Sequence, residues 1–337
     1  MQATFGWILP CRNIYDTSLL GNNMQIAIIG AGALGTLFGG MLADSGETVW
    51  LLHHDESVTQ KMRQEGVQIR SMDGSEELSV GPGQDNLNVT TEASDVGIAD
   101  LVLVFVKSYQ TITAVEQHKD CIGPKTYVLT LQNGLTLRRT LEVVVSGDRI
   151  LTGVTYQSAK VVSPGIVQRT GTGETVVGGP NELFTGQVAE GLERAGFNDV
   201  TAVSDPRPHI WDKQLVSIAF KPVAALTGLP NGELVADELI AALMKELVEE
   251  GLAVAESRGI DIPTDDVFEK VRALGRQNPQ HRSSMLQDVN SGRKTEIGDA
   301  NGAIVKFAKE EDIEVPCNAA VTSLVGGLER GYLEEGT

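Results

Sequence analysis

Basic residues, cysteines and long apolar runs are all scarce in this chain, and each scarcity removes a class of function. Its 337 residues carry 27 Lys and Arg against 45 Asp and Glu, a formal net charge of -18. General affinity for nucleic acid or for anionic membranes requires basic patches, so neither partner is expected. The three cysteines, Cys11, Cys121 and Cys317, are odd in number and far apart. They match neither a disulfide framework nor a metal-ligand cluster, so no metal is expected and a reducing, cytoplasmic setting is the default. No segment approaches the roughly 20 continuous apolar residues that a membrane-spanning helix needs. Residues 1–23 are not read as a signal peptide either, because Arg12, Asn13 and Asp16 interrupt them. Met24 stands directly before the first strand pattern, and residues 1–23 are therefore expected to be an N-terminal extension or an upstream start.

What is present is a length and a hydrophobic fraction of 41% that suit a globular protein of two domains. Met24 to Ile29 is an isoleucine-rich run ending at glycine, as in a parallel strand buried on both faces. A helical segment through Leu37, Phe38 and Met41 follows, and Thr48 to Leu52 supplies the next strand. Ala99 to Val106 and Tyr127 to Leu131 continue the alternation, which implies a parallel sheet with right-handed crossovers. From Ile150 to Gly179 the segments are short and separated by Gly and Pro, and they read as antiparallel strands on the sheet's edge. Beyond Asp205 the strand pattern stops. Leu239, Ile240, Leu243, Met244, Leu247 and Leu252 recur at helical spacing within 237–258, and 298–309 and 317–330 are also helical in pattern. The expected fold is α/β: a Rossmann-type doubly wound sheet with antiparallel edge strands over 24–204, then an all-helical domain over 205–330.

The turn Gly30-Ala31-Gly32-Ala33-Leu34-Gly35 sits between that first strand and its helix. There Gly30 permits the tight turn, Gly32 lets a pyrophosphate approach the backbone, and Gly35 allows close helix–strand packing. The motif alone is weak, but the second strand arriving on schedule supplies the context it requires. The form of the dinucleotide stays open. An NAD site places an acid at the end of the second strand and an NADP site an arginine nearby; the chain reads Leu52-His53-His54-Asp55. Asp55 has the spacing of an NAD site, the histidines could contact a 2′-phosphate with Lys61 or Arg63 helping, and solvated loop histidines explain the segment equally well.

Lys107 and Asn133 each follow a parallel strand, where ligands of open α/β sheets bind. In the helical half, Lys213, Ser217 and Lys221 advance by about 40° per step and share one helix face. Pro222 is expected to disturb the helix just there. A lysine beside a nicotinamide can protonate a carbonyl oxygen as hydride arrives at carbon, and desolvation with a like-charged neighbour lowers its pKa toward neutrality. Ser283 or Ser284 could bind an oxygen-rich substrate or cap a helix, and Glu296, twelve residues beyond Ser284, could join a site or face solvent.

These landmarks occur in an order that resembles the ketopantoate reductase family from about Met24 to Arg330. They are the glycine turn, Val106 to Thr111, Gln132-Asn133-Gly134, Trp211-Asp212-Lys213, Pro230 to Leu234, Ser283 to Asp288 and Lys294 to Ile297. The resemblance implies reduction of 2-dehydropantoate to (R)-pantoate, on the route to pantothenate and coenzyme A, with NADPH, NAD also being possible. It implies Lys213 as general acid with Glu296 as its acidic counterpart, also near the cofactor, and Ser284 on the substrate carboxylate. Lys107 and Asn133 would lie by nicotinamide and substrate, Asn231 would line the pocket, and Gly30 to Gly35 with His54 would hold the cofactor. Two departures are clear: Ser217 and Lys221 stand where bacterial members often carry substrate-contacting asparagines, and His54 where many carry an arginine. Two alternatives remain: a paralogue reducing another small 2-oxo acid, with an extra carboxylate paired to Lys221, and a catalytically silent dinucleotide sensor. Helical substrate domains of this kind can pair, so a homodimer through 237–258 is open, although the core explains that stripe equally well.

Overall fold

The computed structural model describes residues 23–81 and 86–334, so Cys11 and all but the last residue of the expected extension lie outside it. In chain order the strands are β1 (Gln25–Ile29), β2 (Thr48–Leu52), β3 (Val67–Arg70), β4 (Glu76–Val80), β5 (Leu87–Thr90), β6 (Leu101–Val104), β7 (Tyr127–Thr130), β8 (Ile150–Thr155), β9 (Ser158–Ser163), β10 (Ile166–Gly171), β11 (Thr175–Gly178) and β12 (Val200–Val203). Eight of them form the main sheet in the order β5-β2-β1-β6-β7-β8-β11-β12. The six from β5 to β8 are parallel, and the strand order reverses between β1 and β6, which opens a ligand crevice beyond their carboxyl ends. β1 and β6 occupy the centre because their side chains are apolar on both faces; Ile26, Ala27, Ile28, Val102 and Val104 are fully buried.

The region 150–179 divides in a way its local pattern does not show. β11 pairs antiparallel with β8 near the sheet's edge, with β12 outside it. β9 and β10 instead leave the main sheet and join β3 and β4 in a four-stranded sheet, β4-β3-β10-β9. That sheet covers α1 (Ala33–Asp44), whose face from Gly35 to Ala43 is wholly buried. A two-sided cover explains the glycines within α1. A Cβ on Gly39 would meet Leu51 of the main sheet at 2.4 Å, and one on Gly40 would meet Ile69 of the second sheet at 3.0 Å. Helices α2 (Glu56–Glu65), α3 (Thr111–Gln117), α4 (Leu137–Leu141) and α5 (Glu182–Arg194) complete this half.

Among the described residues, everything regular after Val203 is helical: α6 (Arg207–Thr227), α7 (Asn231–Ala236), α8 (Glu238–Ser257), α9 (Val267–Gln277), α10 (Ser284–Asn290), α11 (Asn301–Glu310) and α12 (Pro316–Glu334). The stripe of 237–258 goes mainly to the core, since Met244, Leu247 and Val254 are buried while Leu239 is 84% exposed. No described helix is long and apolar enough to cross a membrane.

The central α6 runs straight through Pro222 instead of breaking there. Proline has no N–H for the carbonyl four residues back, at Ile218, and an unpaired buried carbonyl would be costly. The Asn301 side-chain amide donates to Ile218 O at 3.1 Å and replaces the missing bond. Asn301 also donates to Asn318 Oδ1 at 2.9 Å, which ties α6, α11 and α12 together.

Candidate active site

The three glycines of the turn divide their work. Gly30 has φ +100 and a Cβ there would lie 2.9 Å from the Phe105 and Val106 backbone, so only glycine suits the turn. A Cβ on Gly35 would stand 2.1 Å from Gly30 O, so its absence lets α1 sit against the turn. Gly32 is the N-cap of α1 and makes no side-chain cap hydrogen bond. A Cβ there meets nothing within 4 Å. Gly32 N itself donates to Gly30 O at 2.8 Å, so the first-turn N–H groups of α1 beyond it and the open space at Gly32 form the cradle for an anion against the helix dipole, which fits the pyrophosphate of a dinucleotide.

At the end of β2 the candidate phosphate contacts separate. Asp55 Oδ1 accepts hydrogen bonds from Ser57 N at 2.8 Å and Val58 N at 3.2 Å and so caps α2. Arg63 donates to Val89 O at 2.6 Å and pairs with Glu56, and Lys61 pairs with Glu65 on α2. That leaves His54, exposed and stacked on His53 at 4.7 Å between ring centroids.

Across the crevice, the segment after β6 is clasped by the helical half. Lys107 Nζ lies 2.6 Å from Asp288 Oδ2 on α10 and 3.8 Å from Glu296 Oε2. Ser108 N donates to Glu296 Oε1 at 2.9 Å, and Ser108 Oγ donates to Asp299 Oδ2 at 2.6 Å. Thr136 Oγ1 donates to the other oxygen of Asp299 at 2.9 Å. Glu296 is itself held by its neighbour: Thr295 N and Oγ1 both donate to the buried Glu329 of α12. Residues distant in sequence thus converge on one carboxylate cluster at the mouth of the sheet.

Lys213 projects from α6 toward the end of β8, where its ammonium donates to Thr155 O at 2.6 Å and lies 5.2 Å from the Tyr156 ring centre. Desolvation, aided by the nearby Lys221 ammonium, lowers its pKa from 10.5 to about 7. Lys221 is buried, and burial lowers its pKa also, opposed by Glu296. Asn133 is partly buried beyond β7; the preceding Gln132 donates to Val106 O and so draws this loop to the Lys107 segment. Asn231 opens α7, its N–H donating to His281 O at 2.9 Å, while its buried Oδ1 has no hydrogen-bond partner among the described residues. The two serines have different places. Ser283 caps α10 through Leu286 N, leaving Ser284 exposed at the helix's first position. Ser217 is half-buried on the face it shares with Lys213 and Lys221.

The carboxylates Asp288 and Asp299 and the hydroxyl of Ser108 are site residues that sequence reasoning left unassigned. For Asp288 a signal existed, since it follows Ser284 by four residues on one helix face. Asp299 carried none, and Ser108 stood out only as part of the Val106 to Thr111 landmark, because their pairing arises only where the two halves meet.

Comparison with known proteins supports this arrangement over nearly the whole chain. The model of the family described as ketopantoate reductase PanE/ApbA matches residues 26–182, and that of its C-terminal part matches 205–329. A 2-dehydropantoate 2-reductase of Halobacterium salinarum is 34% identical over 90% of this chain and 98% of that protein. One of Pyrococcus abyssi is 33% identical over 91% and 98%. Among solved structures, a PanE/ApbA family ketopantoate reductase from Ralstonia eutropha superposes with a TM-score of 0.83 at 31% identity, covering 91% of this chain and 99% of that one. D-mandelate dehydrogenase with NADH and anilino(oxo)acetate superposes with a TM-score of 0.82 at 26% identity, covering 91% and 99%. Matched in both halves and carrying its lysines and carboxylates where those halves meet, the chain is an oxidoreductase that belongs to the ketopantoate reductase family.

Proposed function

We propose that the protein reduces 2-dehydropantoate to (R)-pantoate with NADPH. The observation that carries this reading is Lys213, an ammonium with a pKa of about 7 beside the crevice. A bound nicotinamide dinucleotide supplies the hydride in such a reaction. Gly30 to Gly35 and the N-terminus of α1 hold its pyrophosphate. Lys213 gives a proton to the carbonyl oxygen of the substrate; at neutral pH it is poised between donor and acceptor forms, which suits a general acid. Glu296 holds the loop at Ser108 and, with Asp288, orients Lys107 toward the reacting end. Ser284 faces the substrate carboxylate, and the unpartnered Oδ1 of Asn231 accepts from a substrate hydroxyl, with Asn133 and Ser217 lining the space between.

The preference for NADPH rests on the ends of β2 and α2. Asp55 is committed through Oδ1 to capping α2, while the neighbouring His54 is exposed and open to a 2′-phosphate. Steady-state rates with 2-dehydropantoate test substrate and cofactor together. The expected kcat/KM is at least about tenfold higher with NADPH than with NADH, the order of one charge-assisted contact. Negligible turnover of 2-dehydropantoate with both cofactors rejects the function, and equal rates reject the His54 contact.

A further inference from the structure

Among the described residues the Lys213 ammonium pairs with no carboxylate, so neutral groups hold it. Both groups it meets come from one corner of the chain, residues 155–157, where the backbone leaves β8 in the main sheet and enters β9 in the second. Thr155 O accepts from Nζ at 2.6 Å, and Nζ lies over the Tyr156 ring, 5.2 Å from its centre. That distance is inside the ~6 Å reach of a cation–π contact. The corner is fixed from the strands around it. Thr155 Oγ1 shares a hydrogen bond of 2.7 Å with Thr175 Oγ1 on β11, and Tyr156 N donates to Glu174 O at 2.8 Å. Gln157 is buried; its Nε2 donates to Gly173 O at 2.7 Å, and its Oε1 accepts from Arg169 of β10 at 3.0 Å. Gly173 also makes room for the tyrosine, since a Cβ there would stand 2.8 Å from Tyr156 Cβ. A carbonyl and a ring face on a backbone braced in this way form a preorganised seat for an ammonium.

We infer that Tyr156 is the positioning residue of Lys213, its ring face seating the ammonium at the end of β8 together with Thr155 O. This rests on the reading of Lys213 as the proton donor. A ring face attracts a cation and not a neutral amine, so the seat also favours the charged form of the lysine. Burial and the Lys221 ammonium act the other way. A carboxylate in place of the ring would hold the proton too tightly to be given up near neutral pH, whereas a neutral seat fixes the lysine and leaves it an effective acid. The tyrosine hydroxyl takes no part, because burial holds its pKa above the ordinary value and it stays protonated. The other charged groups about the pair are Lys221, Asp212, which pairs with Lys270 of α9, and Glu174 beside Tyr156.

The test changes the charge on the ring face and keeps the ring, so that the fold is spared. Tyr156→Phe retains the face. A trifluorinated phenylalanine incorporated at position 156 retains nearly the same shape and drains the negative charge from the face. The readout is the titration of the Lys213 ammonium by NMR, which needs no turnover. The midpoint should be unchanged in Tyr156→Phe and lower by about one pH unit with the fluorinated ring, the order of a desolvated cation–π contact. In steady state, kcat with the fluorinated ring should begin to fall about one pH unit earlier as pH rises, while KM for the dinucleotide holds. A midpoint that the fluorinated ring leaves unchanged or raises overturns the inference. So does an equal lowering in both variants, which would assign the effect to the hydroxyl. Failure of the proposed function is separable from these results. A protein that does not reduce 2-dehydropantoate but shows the lowered midpoint loses the reaction and keeps the seat.

Discussion

Replacing Lys213 with alanine is expected to lower kcat for 2-dehydropantoate about a thousandfold, within the range for loss of a positioned general acid. Dinucleotide affinity should stay within about twofold of the wild type, because the glycine turn lies on the other half of the protein and shares no contact with Lys213. The side chain is not a structural strut: its ammonium makes one hydrogen bond, to Thr155 O, and lies over Tyr156. Removing it leaves one carbonyl to find water and takes one desolvated charge away, so the fold should tolerate the change. Stopped-flow reduction and fluorescence titration of the dinucleotide measure the two quantities separately. Unchanged kcat would remove Lys213 from the chemistry. A parallel loss of dinucleotide binding would make it a positioning residue for the cofactor. The catalytically silent sensor is also tested here, since a sensor has no rate to lose.

The second large effect contrasts two glycines three residues apart. Gly35→Ala places a methyl group 2.1 Å from Gly30 O, a backbone atom of a turn that is itself fixed by bonds from Gly30 N and Ala31 N to Leu52 O at 3.1 Å. Neither side can yield cheaply, and a loss of about 2–3 kcal/mol of stability is expected. Gly32→Asp should behave in the opposite way. Gly32 has φ -84 and open space around a Cβ, and Asp is a favourable N-cap beside a helix dipole. Stability should therefore hold or rise by up to about 1 kcal/mol. The new carboxylate takes the place intended for the pyrophosphate, and dinucleotide binding should fall at least about a hundredfold, the order of a buried like-charge conflict. Urea unfolding together with dinucleotide titration resolves the pair. Equal destabilisation by both substitutions would contradict the division of roles within the turn.

Much of this architecture was legible because its signals are local. Apolar runs on both faces marked β1, β6 and β7, and the glycine turn announced the crevice. The spacing of Lys213, Ser217 and Lys221 put three candidate residues on one face of α6 from local pattern alone. What was not legible depends on contacts between distant segments. β3 pairs with β10 across about a hundred residues, and β9 shows Val161 and Val162 largely exposed, so its pattern points to an edge and not to a second sheet. Pro222 obeys no local rule here, because Asn301, far along the chain, supplies the hydrogen bond that proline lacks. Asp299 and Ser108 are a like case, being 191 residues apart and informative only as a pair. His54 stays between these extremes: its place at the end of β2 was readable, and only the structure showed that Asp55, Lys61 and Arg63 are engaged elsewhere.

The central claim is that the site lowers the pKa of one lysine so that it can give up a proton near neutral pH. Burial disfavours the charged form of Lys213 and Lys221 adds repulsion, so its folded pKa lies below 10.5, at about 7. Reduction needs the protonated form, so kcat should hold below about pH 7 and fall as pH rises through that value. The direct measurement is the titration of the Lys213 ammonium by NMR of lysine-labelled protein, assigned with the Lys213→Ala variant. A midpoint at about 7 is the result expected. A midpoint at the ordinary lysine value of 10.5 would contradict the account.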